Sequence, residues 1–381
     1  MYALTNCTIY TSQAELTDHA ILIDGQKIVG IPPVENLPVH CRSIDLAGCH
    51  VAPGFIDLQL NGCGGVMFND VITPETLEIM HAANLKSGTT SYLPTLITAA
   101  DADMLRAIEV VATYRQASPW NVLGLHLEGP YLNPKRKGIH NEAYVRQPDR
   151  SMLEQIAAAG REVVKLVTLA PEQVSPADIQ LLINQGILVS AGHTDATFEQ
   201  AMTGFNAGIG MVTHLFNAMS PWLGRHPGMV GAVLSRADVY AGIIADGYHV
   251  HFESIALAQK LKQDKLILVT DATPPAGAEI QSFWIGGQEV FCQDGKCVSL
   301  DGTLAGSALT MIEAVTNCVR HLKLPLSEVL RMASLYPAQA IRMDDLLGRI
   351  APNYIANLVI FDDTLQITGI VDRGNYSTLI S

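Results

Sequence analysis

The sequence predicts an α/β protein: a (β/α)8 TIM barrel with a small β-sandwich built from both chain ends. Two observations predict it. Eight short runs rich in Val, Ile and Leu alternate with amphipathic stretches between residues 51 and 272, the pattern of parallel strands buried on both faces. Outside that alternation, both ends of the chain carry period-two patterning and turn residues.

The eight runs, in order, are "VAPGFIDLQLN" (51–61), "TTSYLPTL" (89–96), "VLGLHLEG" (122–129), "VVKLVTLA" (163–170), "ILVSAGH" (187–193), "MVTHLFN" (211–217), "VYAGIIADG" (239–247) and "KLILVTDA" (265–272). Stretches such as 73–88, 101–117 and 175–186 lie between them, opening on Thr, Asp or Ser caps and often closing on Gly. A doubly wound open sheet gives similar local signals, but a count of eight favours closure. Residues 1–50 alternate over short runs, with Asp24-Gly25 as a hairpin turn, and the last part of the chain looks similar. The expected division is a discontinuous sandwich domain, 1–51 with 348–381, and a barrel domain, 52–347. Hairpins are expected after the eighth run, then a helix around 307–321.

Composition narrows the function classes. Of the 381 residues 48% are hydrophobic and 16% charged, which favours a large packed interior over disorder. A net charge of −13 argues against nucleic acid or an anionic membrane as the general partner, while leaving room for a local basic pocket that takes one phosphate. The seven cysteines include no C-x-x-C, so neither a disulfide framework nor a zinc knuckle is expected. With no basic leader and no apolar run of about 18 residues, the expected location is the cytoplasm.

In a closed barrel the chemistry sits at the C-terminal ends of the strands. Those ends carry Gln59 and Asn61, Glu128, His193, His214, Asp246 and Asp271. Each alone reads as a capped loop or a satisfied core group. Together, Glu128, His193 and His214 form a carboxylate and two imidazoles converging from different strands, a three-ligand set that leaves one position open, as in a catalytic zinc or ferrous site. Asp271 follows an apolar run, where a nearby cation keeps it ionised and able to take a proton. His249 and His251 have H-x-H spacing but follow Asp246-Gly247, so they belong to a loop, and His249 reads as a substrate contact. His126 reads as a buried group one layer deeper.

The segments "GFIDLQLNGCGG", "GLHLEGPYLN", "KGIHN", "SAGHTDA", "THLFNAM", "GIIADGYHV", "LVTDAT" and "LAGSALTMIE" together resemble the N-acetylglucosamine-6-phosphate deacetylase family of the amidohydrolase superfamily, over essentially the whole chain. The resemblance implies hydrolysis of the acetamide of N-acetyl-D-glucosamine 6-phosphate to D-glucosamine 6-phosphate and acetate. It implies Glu128, His193 and His214 as metal ligands, a metal-activated hydroxide as attacking group, Asp271 as general base and then acid, and His140 polarising the carbonyl. Substrate contacts implied are Gln59, Asn61, Ile139, His140, Asn217, Ala218, Arg225, Asp246, His249, Leu304, Ala305 and Gly306. It also implies a homodimer in which Arg225 reaches the neighbouring active site; His226 beside it has no assigned role. Many amidohydrolases carry H-x-H at the end of the first strand for a second metal, where this chain has Gln59 and Asn61. Amide oxygens are weak ligands for zinc or iron. One divalent metal ion per subunit is therefore expected, zinc first, with iron, cobalt or manganese as alternatives, and a second site only weakly filled under excess metal. The rival readings are another reaction on the same metal scaffold and a non-catalytic sugar-phosphate sensor.

Overall fold

The computed structural model describes residues 1–379, so the last two residues of the expected 348–381 segment lie outside the described part. Eight parallel strands form the central sheet: β1 (Phe55–Leu60), β2 (Thr89–Ile97), β3 (Leu125–Glu128), β4 (Val164–Leu169), β5 (Leu188–Ala191), β6 (Met211–Val212), β7 (Tyr240–Ile243) and β8 (Leu266–Leu268). They pair in sequence order, and a parallel bridge from Leu60 to Ala272 closes β8 onto β1. Eight strands and closure are what the run count predicts. Strands β1, β2 and β4 are buried along their whole length, which is why their sequences run apolar without strict alternation.

Helices cover the outside: α1 (Pro74–Leu85), α2 (Asp101–Ala117), α3 (Arg150–Ala159), α4 (Pro176–Asn184), α5 (Phe198–Asn206), α6 (Gly228–Ser235), α7 (Phe252–Lys262) and α8 (Met311–Leu322). Their starts follow local rules. Thr73 and Ser175 accept backbone N–H bonds at the first turns of α1 and α4, each followed by Pro, and Thr197 with Gln200 forms a reciprocal capping box on α5. Two shorter helices, α9 (Leu326–Ala333) and α10 (Leu335–Ala340), lead back to the terminal sheets.

The chain ends meet. A six-stranded sheet runs in the order Asn375–Thr378, Ile367–Asp372, Leu358–Phe361, His50–Pro53, Thr8–Tyr10, Glu15–Leu16, and a four-stranded sheet holds Tyr2–Thr5, Ile21–Asp24, Lys27–Gly30 and Arg42–Asp45. Leu4, Ile9, Ile23, Val51, Leu358 and Ile360 share one apolar core between them. The run 51–61, expected as a single strand, is two: His50–Pro53 pairs in the terminal sheet, β1 begins at Phe55, and Gly54 stands between. A Cβ on Gly54 would lie 2.2 Å from Thr90 Oγ1, so only glycine passes this crossing.

One expectation is corrected. Cys292 and Cys297 face each other across the antiparallel pair Gln288–Gln293 and Lys296–Ser299 and form a disulfide, with Cα atoms 4.2 Å apart. Neither C-x-x-C nor an even count flags it, because the pairing comes from the hairpin register around the Asp294-Gly295 turn. The other five cysteines are free. Among the described residues no helix is long and apolar enough to cross a membrane.

Candidate active site

The catalytic candidates gather at the C-terminal mouth of the barrel. Glu128 ends β3, while His193, His214 and Asp271 lie just past β5, β6 and β8 with left-handed φ values of 49°, 31° and 51°. L-residues pay roughly 1–3 kcal/mol for such conformations and keep them where neighbours over-determine the backbone. Here the neighbours are identifiable. Asp271 N–H donates to Gln59 O (3.0 Å) and Asp271 O accepts from Ser307 N–H (2.9 Å), while His193 O accepts from Asn133 N–H (2.9 Å).

Three side-chain atoms converge. Glu128 Oε1 lies 3.2 Å from His193 Nε2 and 3.1 Å from His214 Nε2, and the two imidazole nitrogens are 3.0 Å apart. All three residues are buried. His193 Nδ1 donates to Arg136 O (2.9 Å), a pure acceptor, so in the neutral ring Nε2 keeps its lone pair toward Glu128. Burial works against the charge of Glu128, but the imidazoles of His193 and His214 beside it hold its carboxyl well below the ordinary range. Burial likewise disfavours a proton on His214, yet Glu128 raises its affinity above the usual histidine value. A divalent cation between these groups would displace that proton, since imidazole binds metals in its neutral form. One carboxylate and two Nε2 atoms at this spacing fit such an ion. A different trio, Glu128, His140 and His193, also offers ligand atoms within 4.8 Å of one another. The Glu128–His193–His214 triangle is tighter, and His140 Nδ1 is committed to Thr98 Oγ1 at 2.8 Å.

Asp271 faces the same space. Gln59 Nε2 donates to both Glu128 Oε1 (3.1 Å) and Asp271 Oδ1 (3.0 Å), and Asn61 Nδ2 donates to Asp271 Oδ1 (2.7 Å). Burial first, then the charge of Glu128, push the Asp271 carboxyl up to about 6. Beneath it, Asp57 is buried on β1. Its Oδ1 accepts from the backbone N–H of Gln59 (3.1 Å) and Thr270 (3.3 Å), and its Oδ2 from the Thr270 hydroxyl. His126 lies one layer down, as expected, between Thr95 (3.1 Å) and Thr168 (2.8 Å), and burial lowers it to about 4.

A cavity of about 310 Å³ opens over these groups. Of the twelve substrate contacts named from the sequence, Asn61, Ile139, His140, Asn217, Ala218, His249, Leu304 and Gly306 line it. Four do not. Gln59 reaches the carboxylates from below, Ala305 is fully buried in the wall, and Asp246 holds His249 through Oδ2 to Nδ1 at 2.6 Å. Burial opposes the Asp246 charge, and the His249 bond and charge bring its carboxyl below the ordinary range. Arg225 is exposed and borders a neighbouring cavity together with Arg136 and His226. His251 accepts a backbone bond from Glu253 and caps α7, away from any metal role. Sequence reasoning missed Asp57, Thr98 and the cavity-lining pair Lys135 and Arg136. The signal for the last was present: three successive cations, Lys135, Arg136 and Lys137, in an acidic chain.

Comparison with known proteins identifies the family. A family model described as the amidohydrolase family matches residues 50–380, and one described as the NagA composite domain matches residues 1–51. The chain belongs to the amidohydrolase family. This amidohydrolase is 44% identical over 378 residues to an N-acetylglucosamine-6-phosphate deacetylase of Haemophilus influenzae, spanning 98% of this chain and 99% of the relative. It is 38% identical to an N-acetylgalactosamine-6-phosphate deacetylase of a Shewanella species, across 94% of this chain and 92% of that one. The crystal structure of the N-acetylglucosamine-6-phosphate deacetylase from Pasteurella multocida superposes with a TM-score of 0.97 at 46% identity, covering 99% of this chain and 100% of that one. A mutant of the Mycobacterium smegmatis deacetylase in complex with N-acetyl-D-glucosamine-6-phosphate gives 0.91 at 30% identity, covering 99% of each chain.

Proposed function

We propose that this amidohydrolase hydrolyses the acetamide of N-acetyl-D-glucosamine 6-phosphate, releasing acetate and D-glucosamine 6-phosphate, with one divalent cation, zinc first, held by Glu128, His193 and His214. The observation that carries the reading is the triangle of Glu128 Oε1 and two Nε2 atoms, 3.0–3.2 Å on a side, facing Asp271 inside one cavity. When bound, such a cation would supply Lewis acidity, making water in the site a stronger acid near neutral pH. Asp271 takes the proton of the attacking water, held in place by Gln59 and Asn61. His140 donates to the carbonyl oxygen as negative charge develops there, and Asp271 then returns its proton to the departing amine. Ile139, Asn217, Ala218, Leu304 and Gly306 shape the sugar site, and His249, fixed by Asp246, is a further substrate contact in the cavity wall.

A homodimer belongs to the same proposal. Arg225 is exposed and outside its own cavity, so a phosphate contact by this guanidinium is made in the partner's site. The domain division at 51/52 and 347/348 and a cytoplasmic location complete the reading. The chain leaves the terminal sheet at Gly54, just past the first of these boundaries.

Release of primary amine by zinc-loaded protein tests the proposal, with N-acetylglucosamine 6-phosphate, its galactosamine epimer and unphosphorylated N-acetylglucosamine as substrates. The glucosamine phosphate is expected to turn over best, and Arg225→Ala to raise its KM without affecting the neutral sugar. The galactosamine phosphate is the second substrate to watch, since two relatives carry its name. Absence of release from either phosphate would remove the deacetylase reading.

A further inference from the structure

His140 can stabilise an oxyanion only if a proton sits on the nitrogen left for the cavity. Its Nδ1 is engaged by Thr98 Oγ1 at 2.8 Å, so that nitrogen is Nε2. The ring is buried, and burial favours the neutral form of an imidazole. A neutral imidazole has one proton, and the partner of Nδ1 decides where it goes. His193 shows one outcome: its Nδ1 meets the carbonyl of Arg136, which can only accept, so Nε2 is bare and fit for a cation. His140 meets a hydroxyl, which can donate.

The Thr98 hydroxyl has a single proton and two acceptors within reach, His140 Nδ1 at 2.8 Å and Glu128 O at 3.3 Å. Given to Glu128 O, it forces Nδ1–H on His140 and leaves Nε2 a lone pair, the form of a metal ligand. Given to Nδ1, it leaves Nε2–H, the form of an oxyanion donor. At 3.3 Å the reach to Glu128 O is longer than an ordinary O–H···O bond, whereas 2.8 Å suits a hydroxyl donating to an imidazole nitrogen, which is the second arrangement. Gly129 keeps the arrangement possible: it adopts φ +91°, and a Cβ there would lie 2.2 Å from Thr98 Oγ1. Thr98 is buried at the end of β2, so water does not compete for its proton.

We propose that Thr98 is a positioning residue whose hydroxyl donates to His140 Nδ1 and so fixes the imidazole with its proton on Nε2, toward the substrate carbonyl. The inference rests on the deacetylase reading for its purpose, and its structural half can be tested without any turnover. Nitrogen-15 NMR of histidine-labelled, zinc-loaded protein, with His140→Gln to assign the resonances, is expected to show His140 Nδ1 unprotonated and Nε2 protonated. Thr98→Val, nearly isosteric, should lower kcat by about tenfold, the effect of losing one ordinary hydrogen bond, with KM nearly unchanged. Thr98→Ser should restore it, and zinc content should stay that of wild type in Thr98→Val and His140→Gln alike. A protonated Nδ1 in wild type, loss of zinc in His140→Gln, or wild-type kcat in Thr98→Val would each overturn the proposal. A protein inactive on every sugar phosphate would instead sink the deacetylase reading, leaving the NMR result to decide this one.

Discussion

At the level of single residues, the two amides at the end of β1 have a use that their weakness as metal ligands does not reveal. Glu128 is a buried carboxylate and Asp271 a half-buried one facing the same space, and like charges at short range in such surroundings raise each other's proton affinity. Gln59 Nε2 donates to both at 3.1 and 3.0 Å, and Asn61 adds 2.7 Å to Asp271, so neutral donors offset the repulsion without adding a charge. The face these two residues share was legible in the sequence, because alternation along a strand fixes it. Their partners were not, since Glu128 and Asp271 reach them only through barrel closure. Asp271 stands at about 6 before any cation acts on it, and a cation favours the carboxylate. The acid limb of kcat/KM should therefore fall at or below that pH, since the base must be ionised. Asp271→Asn should retain zinc and lose roughly 10²–10⁴ in kcat. Near-normal turnover in that variant would remove Asp271 from the mechanism.

At the level of elements, the seam between β8 and β1 is where the closing strand is held, and Asp57 sits inside it. Burial pushes its carboxyl up to about 7 against hydrogen bonds from Thr270 and Gln59 that favour the anion. The sign follows. A folded-state pKa above the unfolded 3.8 gives a contribution that is complete below about 3.8 and lost as pH rises through about 7. Urea unfolding should show wild type losing stability relative to Asp57→Asn between these pH values and levelling off above them; a constant difference would mean Asp57 is ionised throughout. Element number was legible from the apolar runs, but element length was not. The run "MVTHLFN" holds a strand only at Met211–Val212, because His214 and Phe216 turn into left-handed conformations that no propensity announces. The disulfide hairpin was hidden for a similar reason, its cysteines being brought opposite by register.

For the whole molecule, a chain of net charge −13 places Lys135 and Arg136, both paired with Asp195, in the lining of its catalytic cavity. The barrel and the union of the chain ends could be read from the sequence, since count and periodicity carry them. Arg225 lying outside its own cavity could not, because that depends on how one loop leaves β6. The central claim is that Glu128, His193 and His214 hold one catalytic cation. Anomalous diffraction at the zinc edge from crystals of the zinc-loaded protein tests it most directly. The account predicts a single strong peak, about 2.0–2.2 Å from Glu128 oxygen and both Nε2 atoms, with none at Gln59 and Asn61. A peak held by His140 in place of His214, or no peak in the cavity, would contradict it.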